Sequence, residues 1–191
     1  MVTDFPQEHI DPAHDPVEGM IGMELLSLFD VDLDFGNNRV RFYPPGAAAT
    51  VAKEAGLVAI PAVVINETGL IGIRVRRAGQ TQLQQPILAF LDCGATFSVV
   101  NTAAVPYLGL PMPDPKDPVY RSGPSIEAYG VDGKSMQLPT ASLAFDFCGP
   151  VVQDAVTGKP TGFAAPPSPW KPWQATRVAV GDLPAFTRSL G

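Results

Sequence analysis

The sequence predicts a mostly-β chain with one or two short helices. Three observations predict it. Apolar and polar residues alternate with period two in several short runs, as in half-buried strands. Gly, Pro, Asn and Asp turn signals bound those runs. The 21 prolines and 18 glycines among 191 residues cut the chain into pieces too short for a helical bundle. Hydrophobic residues make up 46% of the chain, enough for a packed core. The length fits one domain, or one domain plus a fragment.

Taken in order, residues 1–18 are polar, proline-punctuated and aperiodic, and read as a loop or disordered lead-in. His9 and His14 lie there without metal-ligand spacing and read as loop residues. From Met20 to Phe29, Ile21, Leu25, Leu28 and Phe29 share one helical face. Val31–Phe35 and Arg39–Tyr43 alternate around Gly36-Asn37-Asn38, which predicts a hairpin. Residues 46–56 are small and Ala-rich, a linker or short helix. Leu57–Ile65 is apolar, and Gly69–Arg76 alternates as a strand. Residues 79–85 are turn-like, and the strand that carries Asp92 follows them. Asn101–Val105 reads as a short helix capped by Asn101. Residues 111–124 read as a proline-rich loop. Ser125–Leu138 reads as two strands around Asp132-Gly133. Ala141–Phe147 reads as one strand, 149–173 as a long loop holding Trp170 and Trp173, and Thr176–Val180 as the last strand.

Composition excludes several function classes. The formal net charge of −6, with no basic stripe, argues against nucleic acid, which needs clustered Lys and Arg. No apolar run reaches the roughly 18 residues of a membrane helix. The N-terminal Met1-Val2-Thr3-Asp4-Phe5 lacks the zones of a signal peptide. Two cysteines, Cys93 and Cys148, do not make a disulfide framework. These features point to a soluble, intracellular setting rather than a secreted one.

The segment that carries chemistry is Ile87-Leu88-Ala89-Phe90-Leu91-Asp92-Cys93-Gly94-Ala95-Thr96-Phe97-Ser98. An apolar strand runs into a single carboxylate, and a turn of small residues follows. On its own, Asp-x-Gly is ordinary turn chemistry. Flanked by two apolar runs, it also fits a rigidly held acid. Two carboxylates face to face share one proton, because like charges about 3 Å apart cannot both ionise. One member then activates water while the other protonates a carbonyl. In this reading Gly94 permits a tight backbone and Ala95 leaves room for an opposing copy. Asp30, Asp32, Asp34 and Asp146 alternate with apolar residues and read as exposed strand faces. Asp132 reads as a turn residue.

Leu91–Ser98 resembles the active-site turn of the retropepsin-like aspartic proteases, hydrophobic-Asp-(Thr/Ser)-Gly-Ala-x-x-Ser. The hairpin containing Tyr129-Gly130-Val131-Asp132-Gly133 is similar to that family's flap. Met20-Ile21-Gly22 and the helix after it are similar to its hydrophobic-hydrophobic-Gly element. The resemblance implies a closed all-β barrel that forms half of a two-fold site. It implies Asp92 as the acid–base residue, Cys93, Gly94, Ala95 and Thr96 as its turn, and residues 129–133 as substrate-binding flap. It implies a peptide or protein substrate, and a partner that is a second copy or an adjacent repeat. No metal or organic cofactor is implied. Two departures stand out. Cys93 replaces the family's hydroxyl residue, and a thiol is a weak donor. Residues 19–45, with the helix and hairpin, precede Asp92 rather than follow the flap. A tandem repeat or a circular permutation explains that order, with 46–56 as linker and 57–191 as a domain lacking its own C-terminal element. Without its catalytic competence, the same fold would be a peptide-binding or scaffold module.

Overall fold

A computed structural model describes residues 21–65, 68–80, 85–129, 135–165 and 174–183. The chain is mostly β and divides into two compact units, Met1–Gly56 and Leu57–Gly191. Among the described residues no helix is long and apolar enough to cross a membrane.

In the first unit, a single helical turn α1 (Met23–Leu26) starts after Gly22 and leads into the antiparallel hairpin β1 (Asp30–Asp34) and β2 (Arg39–Tyr43). Asn38 takes the left-handed conformation that closes the turn, as a short polar side chain permits. The Asp34 carboxylate accepts from the Asn37 N–H. Register places Asp30, Asp32 and Asp34 opposite Tyr43, Arg41 and Arg39. The acidic face is therefore not bare, as alternation alone predicted. Arg41 donates to Asp32 and Asp34, and Asp30 accepts the Ala48 N–H at the start of α2 (Ala48–Glu54).

The second unit holds the main core. β4 (Leu70–Arg77) is paired by β3 (Ala62–Ile65) and β10 (Phe145–Phe147) along one edge and by β5 (Ile87–Phe90) along the other. A second sheet has β13 (Thr176–Val180) at its centre, parallel to β6 (Val99–Val100) and antiparallel to β9 (Thr140–Leu143). Ile73, Val75, Val100, Leu108, Leu143, Phe147, Val178 and Val180 are buried together between these elements. β7 (Ile126–Tyr129) and β8 (Ser135–Leu138) form a separate hairpin.

The structure corrects five sequence-based expectations. The described strands form five discrete sheets rather than a closed barrel, because most strands are only two to five residues long and their ladders do not join. Ala141–Phe147 is two strands, not one. Its side chains keep the alternation, with Ala141, Leu143, Phe145 and Phe147 all buried. The backbone, however, changes partner at Ala144, from β13 to β4. Asn101–Val105 is a turn rather than a helix. Asn101 Oδ1 accepts the Ala104 N–H at 3.0 Å, but Pro106 follows and only a 3-10 turn, Pro106–Leu108, forms. The loop 111–124 contains α3 (Pro118–Arg121), capped by Asp117. Within 149–173, β11 (Val151–Gln153) pairs with β12 (Pro160–Phe163) around a turn held by the Asp154 carboxylate, which accepts from Val156 and Thr157. Trp170 and Trp173 lie outside the described residues, as do His9 and His14.

Candidate active site

β5 is the element that delivers Asp92. Its ladder to β4 persists one residue beyond the strand, with the Leu91 N–H donating to Ile71 at 2.9 Å. The chain is thus anchored to a buried sheet up to the residue before the acid. Asp92 then folds the turn around itself. Its Oδ1 accepts the Gly94 N–H at 3.0 Å, and its carbonyl accepts the Ala95 N–H at 3.3 Å. This Asx turn fixes one carboxylate oxygen by a charge-assisted bond.

Asp92, Cys93, Gly94, Ala95 and Thr96 are all exposed, and Cys93 is a free thiol. The carboxylate is therefore open to solvent rather than sunk at the edge of the core. Gly94 has no positive φ, and a Cβ built there meets only Asp92 Oδ1, at 3.4 Å. The position contributes its N–H rather than the conformational freedom expected of it.

After the turn the chain re-enters the structure. Phe97 is half-buried, Ser98 accepts the Ala179 N–H at 3.0 Å, and β6 runs parallel to β13. Phe97 and Val99 pack in a small cluster with Ala128 and Leu138 from the β7–β8 hairpin and Ala179 from β13. Ile126, Met136 and Leu183 flank it. The hairpin thus rests on the strand that leaves the Asp92 turn. Tyr129 ends β7 opposite Ser135. Gly130, Val131, Asp132 and Gly133 lie outside the described residues. So does Met20, whereas Ile21 is exposed and Gly22 is the N-terminal cap position of α1.

Sequence reasoning missed the clasp that holds β13 to this layer. The Thr102 N–H donates to Asp182 Oδ1 at 2.8 Å, and its hydroxyl donates to Oδ2. The Gly181 N–H donates to Val100. Only the pairing of β13 with β6 brings residues 102 and 182 together, so no local signal marks them. Asp146 was expected on an exposed face. Instead its Oδ1 is buried without a hydrogen-bond partner among the described residues. It faces Arg76 across the β4–β10 ladder. Cys148 is buried beside the same stripe, and burial pushes its thiol pKa up, partly opposed by Arg76.

Among the described residues no group of three or more His, Cys, Asp or Glu side chains is placed to hold a metal ion. Comparison with protein-family models, with curated proteins and with solved structures finds no match for this chain.

Proposed function

We propose that Leu57–Gly191 is a retropepsin-like half-site, and that the chain is an aspartic-type endopeptidase acting through a pair of Asp92 carboxylates, one from each of two copies. One observation carries the reading. A strand locked into a buried sheet ends at a single carboxylate whose turn it organises, and a hairpin packs onto the strand that leaves that turn. An acid held on rigid backbone and open to solvent has room for a counterpart. In the paired site the two carboxyls share a proton. The ionised member takes a proton from water, and the water oxygen attacks the peptide carbonyl. The protonated member donates to the carbonyl oxygen, giving a tetrahedral species. This collapses with cleavage of the C–N bond as the first carboxyl passes the proton it took from water to the leaving nitrogen and the second takes one back from a hydroxyl, so no covalent enzyme intermediate forms. The β7–β8 hairpin covers an extended peptide, which binds as an added strand.

The test is cleavage of an unstructured protein substrate across pH 3 to 8 by wild type and Asp92→Asn. Cleavage that disappears in the variant supports the reading. Cleavage that persists in the folded variant refutes it. A second reading, a peptide-binding module without turnover, is favoured by one feature. Cys93 stands where the family resemblance implies a hydroxyl, and its thiol donates weakly. That reading expects peptide binding without cleavage by the wild type.

A further inference from the structure

Residues 110–115 read Leu-Pro-Met-Pro-Asp-Pro, with a proline at every second position. Each proline ring fixes φ near about −65°. Leu110, Met112 and Asp114 each precede a proline, which pushes them to extended or polyproline II backbone. The run is therefore stiffened by its own covalent chemistry. Its backbone has no turn, bend or ladder from Leu110 to Asp114. Two of its three ridges show the three-residue period of a polyproline II helix. Leu110 packs against the main core, and Pro113, three residues on, is half-buried. Met112, 58% exposed, and the exposed Pro115 form an open ridge.

Both ends of the run are tied down within the second unit. The Leu110 N–H donates to the Val105 carbonyl at 3.1 Å, and the Tyr120 hydroxyl donates to the Pro111 carbonyl at 2.6 Å. The Asp117 N–H donates to the Asp114 carbonyl at 2.9 Å, closing a turn with Pro115 at its second position, which stops the run. Between these anchors, the Met112 N–H and the Met112 and Pro113 carbonyls make no hydrogen bond among the described residues.

We propose that Leu110–Pro115 is a docking ligand for a protein domain that reads polyproline II, one with an aromatic-lined groove whose hydroxyl or indole donors meet the free carbonyls. An anchored run has already lost its conformational freedom, so binding adds little ordering cost. A sheet edge is a poorer partner. Prolines at 111, 113 and 115 leave one side of the run with no N–H to add to a ladder. The charge beside the ridge sets the electrostatics of the groove. Lys116 is exposed and enters no ion pair among the described residues. The neighbouring Asp114 and Asp117 carboxylates instead accept the main-chain N–H groups of Lys116 and Val119, each at 2.8 Å. The groove therefore carries a carboxylate at the Pro115 end. The inference involves neither Asp92 nor the protease reading.

The test is calorimetric titration of the full chain with a panel of purified domains of the WW, SH3 and EVH1 types. At least one is expected to bind with a micromolar Kd. Met112→Asp and Lys116→Glu, both at exposed side chains, are each expected to weaken that binding about tenfold or more, with thermal unfolding unchanged. No binding by any member of the panel overturns the proposal. So does binding that either variant leaves unchanged. In the Met112→Asp case the ligand is then another segment, such as the proline-rich run Pro166-Pro167-Ser168-Pro169, which that substitution does not touch. Should a variant unfold, the Met112 methyl resonance of the wild type decides. It is expected to shift on titration, and an unmoved resonance overturns the proposal.

Discussion

At the scale of single residues, the Asp92 turn is built from main-chain donors, and Cys93 is where it departs from the resemblance behind the proposed function. A hydroxyl donates a stronger hydrogen bond than a thiol. A paired site stiffened through that position gains from the exchange, so Cys93→Thr is expected to raise kcat about tenfold or less with KM little changed. Steady-state kinetics on one peptide measures this, and a fall in kcat counts against a supporting role for residue 93. A second prediction concerns Cys148, which is distant in sequence from the site. Burial raises its thiol pKa above the ordinary 9.0. The folded protein therefore holds this proton at pH values where the unfolded chain has lost it. The resulting contribution is fully present below about pH 9 and is lost as pH rises through the folded-state value. Tyr120, buried and also raised from its ordinary 10.0, adds to the same alkaline loss at higher pH. Urea midpoints are expected to fall above about pH 9, and to fall less steeply in Cys148→Ala. Equal slopes in the two proteins would exclude Cys148 as the cause.

At the scale of elements, β13 is the member on which the site depends. It is flanked by β6 and β9, its Val178, Ala179 and Val180 are fully buried, and it ends at Gly181. Gly181 has φ +153°, and a Cβ there would come within 2.6 Å of Leu138 Cδ2 in the β7–β8 hairpin. Gly181→Ala therefore strains the backbone and forces the packed Leu138 side chain to shift. The expected cost is about 1–3 kcal/mol, read as a lower urea midpoint at unchanged m-value. An unchanged midpoint would show that the Leu138 side chain gives way freely and that the backbone bears the alanine without strain. Much of the strand pattern of both units was legible in the sequence. The hairpins Asp30–Tyr43 and Ile126–Leu138, the strand Leu70–Arg77 and the last strand all follow from period-two alternation and local turn residues. What was not legible depended on distant partners. Nothing near Ala144 announces that the backbone changes sheets there, because the side-chain alternation runs on unbroken. The strands β11 and β12 are short and mostly exposed, so they carry little apolar signal. The α3 turn was readable in principle, since Asp117-Pro118 places a capping carboxylate before a proline suited to the first helical position. At the site, Asp92 and its turn were visible, but the Thr102–Asp182 clasp and the packing of Phe97 under the hairpin were not.

At the scale of the whole molecule, one chain offers a single Asp92 turn, so the proposed chemistry makes activity a property of assembly. Two consequences separate a shared site from one complete within each chain. First, specific activity should fall on dilution below the dimer dissociation constant, whereas a self-contained site keeps it constant. Second, wild type equilibrated with an equal amount of Asp92→Asn distributes at random over the dimers. Only one dimer in four then carries two acids, and activity drops to about half that of the same amount of wild type alone. A heterodimer with one carboxylate and one amide cannot pass a shared proton between its halves, so it contributes nothing. The mixing experiment needs no structural change at the interface, because Asp92 is exposed and its substitution removes charge without removing volume. Full retention of wild-type activity in the mixture would place the whole reaction within one chain and remove the paired-carboxylate mechanism.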